Sequence, residues 1–187
     1  MGMVESARDW TVERWRDLPA DGNRYELVEG QLLVTPSPAL PHQLATFELA
    51  RLIADYVDRF RIGLTVIAPA DVEYDDRTVV EPDIFVAPLL EGRRPRSYAD
   101  LGGLLLVVEV ISPSSARADR IPKRRLYQRQ RVPQYWIVDL DARLVELWRP
   151  EDDRPELLSE RVEWQPVPAL SPLSVSLPDY FRKVLRD

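Results

Sequence analysis

The sequence predicts an α/β (α+β) protein with a central β-sheet flanked by helices. Three observations carry that reading. Residues 104–111 (LLLVVEVI) are apolar except for Glu109, and Ser112-Pro113 stops the run; such a stretch reads as a strand buried on both faces. Residues 42–61 place Leu44, Phe47, Leu49, Leu52, Ile53, Tyr56, Val57 and Phe60 at helical spacing, with Gly63 just beyond. Short β-branched or alternating runs, bounded by turn residues, recur before and after that helix.

The chain has 187 residues, enough for a single domain over 1–187 with a full core. Hydrophobic and charged fractions of 45% and 30% are those of an ordinary globular protein. Cysteine is absent, which excludes disulfides and thiolate metal sites. The start, MGMVESARDW, lacks a signal pattern and no run reaches transmembrane length, so a cytoplasmic location without a membrane partner is expected. A net charge of −6 argues against coating nucleic acid through bulk charge, although a local basic stripe can still meet phosphate.

Taken in order, residues 11–17 read as a short capped helix and 24–35 as a hairpin turning at Glu29-Gly30. Glu26, in the first arm, reads as the polar face of an edge strand. Residues 36–41 form a Pro/Ser loop. His42, the only histidine, stands at the start of the long helix, where a cap or surface role is the ordinary reading. Residues 64–74 read as one strand and 78–87 as the next. Period two puts Val79, Glu81, Asp83, Phe85 and Ala87 on one face, and Pro82 implies an edge, a bulge or late pairing. Residues 88–103 form a polar loop carrying Arg93, Arg94 and Arg96. After the buried strand comes a basic helix with Arg117, Arg120, Lys123, Arg124, Arg125, Arg129 and Arg131, in which Asp119 can cap and Pro122 suits the first turn. Residues 134–139 (QYWIVD) read as a strand, 144–149 and 157–164 as a meander, 173–177 as a last strand, and 178 onward as a short helix.

Glu109 is the sharpest chemical clue. An unpaired buried charge costs several kcal/mol, so a cation must stand nearby. If strands 78–87 and 104–111 pair antiparallel, the start of one meets the end of the other and Asp83 lies beside Glu109. Two carboxylates in an apolar setting do not both ionise unaided, so a divalent cation is a natural partner. Oxygen ligands without Cys point to Mg²⁺ or Mn²⁺. Lys123 is the second clue. Of 25 basic residues only Lys123 and Lys183 are lysines, and an ammonium can release a proton where a guanidinium cannot. Asp119, Lys123 and Tyr127 share one helix face at i, i+4 and i+8. From this helix alone, a solvated basic face with a chance lysine remains an equal reading.

Together these segments resemble the PD-(D/E)XK nuclease superfamily, and more closely its bacterial family of restriction-endonuclease-like proteins. The matching segments are RYELVEG (residues 24–30), PSPALPHQ (36–43), EPDIFVA (81–87) and VVEVISPSS (107–115). Asp119, Lys123, Tyr127 and VPQYWIVD (132–139) follow in order. The resemblance implies a restriction-endonuclease-like core with a mixed central sheet, to which an N-terminal hairpin and a C-terminal β-meander are added. Asp83 matches the aspartate of the Pro-Asp signature and Glu109 the acidic residue of D/E-X-K. Ile111 stands where the superfamily pattern has Lys, and Lys123 is the matching position on the following helix. Glu26 and His42 fall on recurring positions and join the catalytic candidates, with no role that the residues themselves supply.

The implied activity is metal-dependent hydrolysis of DNA phosphodiester bonds. Asp83 and Glu109 would hold one or two Mg²⁺ (or Mn²⁺), and Lys123 would position the nucleophile or stabilise the transition state. Arg120, Arg124, Arg93, Arg94 and Arg96 are the expected DNA backbone contacts. Cutting two strands with two symmetric sites suggests a homodimer, with Trp148 or Trp164 in the contact. The alternative is a catalytically inactive nuclease-fold module that binds DNA or serves structure; the acidic charge favours it and the intact carboxylates disfavour it.

Overall fold

The computed structural model describes residues 9–97, 100–101 and 103–186. In chain order the elements are α1 (Val12–Arg16), β1 (Arg24–Val28), β2 (Gln31–Thr35), α2 (Leu40–Phe60), β3 (Gly63–Ile67), β4 (Val72–Asp75), β5 (Thr78–Val80), β6 (Ile84–Pro88) and β7 (Leu106–Ile111). A continuous helical stretch follows: α3 (Ala116–Ala118), a π-turn (Asp119–Lys123) and α4 (Arg124–Arg129). The chain ends with β8 (Tyr135–Asp139), β9 (Leu144–Trp148), β10 (Glu156–Leu158), β11 (Arg161–Trp164), β12 (Leu173–Ser176) and α5 (Leu177–Leu185).

The central sheet has six strands in the order β10-β9-β8-β7-β6-β3. It is mixed: β7 and β8 run parallel, and the other neighbours run antiparallel. The two faces follow from period two. Ile84, Val86, Leu106, Val108, Val110 and Trp136 pack with α2 and α5 on one side. Phe85, Ala87, Val107, Tyr135 and Ile137 pack on the other, against Leu126, Tyr127 and the Val72 and Val80 of a second sheet. Covering both faces is what a parallel pair in the middle of a sheet requires. The second sheet has the order β2-β1-β5-β4, and β11 pairs with β12 in a small third one. Asp83 and Glu109 share the odd-numbered register of Phe85 and Val107, so both belong to the face toward the second sheet and the π-turn helix.

Several sequence expectations are corrected here. Residues 64–74 do not form one strand; β3 joins the central sheet and β4 the second. Residues 78–87 divide in the same way into β5 and β6, because Pro82 has no N–H to continue a ladder. Residues 157–164 divide between β10 and β11. The long helix starts two residues earlier than the periodicity implied, at Leu40, with Pro41 tolerated in its first turn. β1 is an inner strand, flanked by β2 and β5, so Glu26 does not lie on an edge. Asp119 caps nothing: it lies within the helical stretch and is buried. Pro122 is accommodated by widening that turn, in which the Arg124 N–H donates to the carbonyl of Asp119, five residues back. Trp148 and Trp164 are 8% and 1% exposed, packed inside the protein, and neither is available for a subunit contact. Among the described residues no helix is long and apolar enough to cross a membrane.

Gly63 marks the tightest backbone approach in the sheet. It opens β3 opposite Pro88, and a Cβ there would strike the Ala87 carbonyl oxygen and crowd the Val86 side chain at 3.1 Å. Both obstacles sit in a paired strand that cannot yield locally. Gly63→Ala is expected to destabilise the fold by about 1–3 kcal/mol, lowering the melting temperature by several degrees in a calorimetric scan.

Candidate active site

The end of β7 and the approach to β6, two inner strands, meet at one end of the central sheet. Ile84 lies opposite Val108, so Asp83, just before β6, falls beside Glu109. The backbone ties them together: the Val110 N–H donates to Asp83 Oδ2 at 2.8 Å, and the Asp83 N–H lies 3.5 Å from Glu109 Oε2. Both residues are 2% exposed.

Lys123 is 1% exposed, which overturns the reading of its helix face as solvated. The π-turn directs Asp119 and Lys123 together into the protein. Lys123 Nζ lies 2.5 Å from Glu109 Oε1, 2.9 Å from Glu26 Oε1 and 3.3 Å from Asp119 Oδ1. Glu26 also accepts the Glu81 N–H at 2.8 Å. Tyr127, one turn beyond Lys123, donates its hydroxyl to Glu109 Oε1 at 3.2 Å, and the Tyr135 hydroxyl donates to the Asp119 carbonyl at 3.1 Å.

Asp83 has a different set of partners. Arg24 Nη1 lies 2.9 Å from its Oδ1, and His42 Nε2 lies 3.0 Å from Oδ2. Arg24 also reaches Glu81 at 2.8 Å through Nε. His42 is therefore neither a cap nor a surface residue: the first turn of α2 aims it at Asp83, and its Nδ1 is buried without a hydrogen-bond partner. All five candidates from the sequence, Asp83, Glu109, Lys123, Glu26 and His42, line one cavity of about 220 Å³. Arg24 and Asp119 line it too. The sequence did contain a signal for Arg24, because it stands two residues before Glu26 on the same face of β1.

Burial alone does not set the charges. Burial raises Asp83, but hydrogen bonding and charge from His42, the Arg24 guanidinium and the Val110 N–H outweigh it and hold the carboxyl at about 2. Burial pushes Glu109 well above the usual carboxylate range, and Lys123 opposes that shift while Asp119, Asp83 and Glu26 add to it. Asp119 is raised for the same reason, with Lys123 again opposing. Burial pulls Lys123 down, yet Glu109, Glu26 and Asp119 prevail and leave it well above its ordinary value. Lys123 is thus a fixed ammonium in this setting.

Three of the five arginines expected to touch DNA are engaged within the protein. Arg120 is committed to Asp139 at 2.9 Å and to Glu146 at 2.6 Å. Arg124 bonds Gln128 and the Arg120 carbonyl, and stacks over Trp148 at 4.6 Å. Arg94 pairs with Asp58, and the loop carrying Arg93, Arg94 and Arg96 follows the far end of β6 from Asp83. Arg117 and Arg125, on the helix that supplies Lys123, are exposed and make no ion pair among the described residues.

A divalent cation fits the donor set. Among the described residues lining the cavity, four acidic side chains, Glu26, Asp83, Glu109 and Asp119, face the two fixed cations Arg24 and Lys123, so protons on the raised Glu109 and Asp119, or a further cation, must balance the rest. Among the described residues no three His, Cys, Asp or Glu side chains form a ready-made cage. One or two carboxylates, with the remaining positions left to water and phosphate, is the usual way Mg²⁺ is held.

A mixed sheet with paired acidic residues and a buried lysine at one end of its inner strands defines a protein of the restriction-endonuclease-like class. The chain belongs to the Uma2 family, described as "Putative restriction endonuclease", which matches residues 12–183. Among solved structures it is similar to "a putative nuclease belonging to DUF820" from Anabaena variabilis. The two are 21% identical with a TM-score of 0.74, over 94% of this chain and 99% of that one. That likeness supports the fold. No curated protein matches the chain.

Linkage gives the cluster a pH signature. Asp83, held at about 2 against an ordinary 3.8, contributes stability that is present above the ordinary value and lost as pH falls toward the lower one. Glu109 and Asp119 act oppositely: their contribution is complete below the unfolded pKa and is lost as pH rises through their raised values. Lys123→Met leaves Glu26, Glu109 and Asp119 without their shared cation. It is expected to cost about 3–5 kcal/mol at pH above the raised Glu109 and Asp119 values, and less as pH falls through them and both take up protons. Denaturant melts of both proteins across that range check the magnitude and its sign.

Proposed function

We propose that the protein is a divalent-metal-dependent DNA endonuclease that hydrolyses phosphodiester bonds. The observation that supports this best is the convergence of four acidic side chains (Glu26, Asp83, Glu109, Asp119) on one cavity that holds only Arg24 and Lys123 as fixed cations among its described lining. Asp83 and Glu109 would hold Mg²⁺ or Mn²⁺, which when bound supplies a Lewis acid for the phosphoryl oxygen and acidifies a water.

The remaining roles belong to the chain itself. Lys123 keeps its charge when Glu109 turns toward a cation, because Glu26 and Asp119 still neutralise it. Its raised pKa makes it a donor and a positive charge rather than a base, suited to the negative charge that builds on phosphate in the transition state. In hydrolysis a water oxygen bonds to phosphorus, the bond from phosphorus to one deoxyribose oxygen breaks, and a proton moves from the water side to the leaving side. His42, held against Asp83 with Nδ1 unpartnered, is placed to carry that proton. Glu26 positions Lys123, and Arg24 keeps Asp83 ionised. Of the arginines expected to touch DNA on either reading, Arg120 and Arg124 are engaged by Asp139, Glu146 and Gln128. Arg117 and Arg125 are better placed to touch the DNA backbone without reading sequence.

Purified protein with Mn²⁺ or Mg²⁺ should cleave DNA, and chelation should stop it. Asp83→Asn should reduce cleavage on the order of 100-fold or more and weaken Mn²⁺ binding in calorimetry. Arg24 keeps Glu81 as a partner in that variant, so the far-UV spectrum should be unchanged. Lys123→Arg should be severely impaired, since a planar guanidinium does not fit the space of a compact ammonium. Cleavage by Asp83→Asn at the wild-type rate would remove the nuclease reading.

A further inference from the structure

The concavity above the acidic cluster continues sideways into a second hollow of about 390 Å³. Asn23, Gln43, Pro69 and Glu81 line it, and it shares Arg24, Ser37 and Pro38 with the first cavity. The two hollows are therefore neighbours across Arg24, but they differ in chemistry. The first is crowded with buried charge. The second presents the Gln43 amide, the Glu81 carboxylate and proline edges, while the Ser37 hydroxyl donates to the Gly22 carbonyl and the Asn23 side chain bonds Asp21.

A phosphate has little reason to occupy the second hollow. Its only cation is Arg24, whose guanidinium is already taken by Glu81 at 2.8 Å and Asp83 at 2.9 Å. Glu81 repels an anion outright. A nucleobase, in contrast, is neutral and edged with donors and acceptors. Asn and Gln amides read base edges in pairs, and a carboxylate accepts from exocyclic amino groups. Gln43 is exposed on the first turns of α2 and makes no side-chain hydrogen bond among the described residues.

The depth of the acidic site points the same way. Asp83 and Glu109, each 2% exposed, share their cavity with Pro36, Pro38, Ala39, Ser112, Ser114 and Ser115. A stacked duplex presents its phosphates on a stiff surface with its bases turned inward. Placing a base in a protein pocket beside the scissile phosphate requires unpairing and unstacking, a cost that an already unpaired strand does not meet.

We infer that the second hollow is a base subsite, and that the substrate is an unpaired DNA strand with one nucleotide seated there beside the scissile phosphate. The inference rests on the nuclease reading for the identity of the ligand and names the form that ligand takes. The test reads binding. Fluorescence anisotropy of a labelled oligodeoxynucleotide and of its duplex, with Ca²⁺ present, is measured for the wild type and Gln43→Ala. The single strand should bind at least about tenfold more tightly than the duplex, and Gln43→Ala should weaken single-strand binding about fivefold while leaving the duplex value unchanged. Equal affinities for the two forms, or a single-strand affinity indifferent to Gln43→Ala, would overturn the inference. Duplex cut as fast as single strand in Mg²⁺ would also overturn it, and would leave the nuclease reading intact. The nuclease reading is judged from cleavage by the wild type and Asp83→Asn, and the base subsite from the anisotropy of the wild type and Gln43→Ala, so the two failures are separate.

Discussion

Lys123 draws its three carboxylate partners from three places: Glu26 from an inner strand of the second sheet, Glu109 from the middle of the central sheet, and Asp119 from its own helix. Apolar packing between those layers is non-directional and would tolerate small slides. A buried ammonium with three acidic neighbours does not, because any displacement strands a charge away from water. The relative placement of both sheets and the helix is thereby tied to one atom. Arg120 reinforces the same placement from the other side of the helix by bridging Asp139 and Glu146 on β8 and β9.

The helix can meet that demand because it is not regular. An uninterrupted α-helix through Pro122 would set the proline ring against the preceding turn and lose a hydrogen bond. Widening the turn over Asp119–Lys123 removes the clash, and the Arg124 N–H bonds to the Asp119 carbonyl instead. Asp119 and Lys123 are both buried as a result, while the exposed side of the stretch retains Arg117, Ile121 and Arg125. Such π-turns often coincide with functional positions, and here the turn carries two members of the buried cluster.

Much of this was legible in the residues, for identifiable reasons. Glu109 stood out because a carboxylate inside an otherwise apolar run has few physical explanations. Lys123 stood out because the chain writes Arg almost everywhere else. The fold class followed from periodicity and from the order of the matching segments. Three things were hidden. The division of residues 64–74 and 78–87 between two sheets leaves no trace in alternation, which is the same in either sheet. Glu26 and His42 acquire partners only through tertiary packing, since nothing local distinguishes a buried glutamate on an inner strand from an exposed one on an edge. The commitment of Arg120 and Arg124 to internal partners was invisible because a basic helix has the same composition whether its charges face solvent or acid.

The two paired carboxylates illustrate why position alone does not define a site. Asp83 and Glu109 are equally buried and adjacent, yet their acidities move in opposite directions. His42, Arg24 and a backbone N–H outweigh burial and keep Asp83 ionised; burial raises Glu109, and Lys123, shared with two other acids, does not offset it. On the proposed reading this asymmetry couples metal to substrate. A cation entering beside Asp83 would displace the proton of Glu109, since metal ligation by a carboxylate requires its deprotonated form. The same cation would cancel the negative excess that otherwise repels a phosphate from the cavity. On that reading an acidic protein with a net charge of −6 would admit DNA to this end of the sheet more readily in company with the ion, and nucleic-acid binding and metal binding would be coupled.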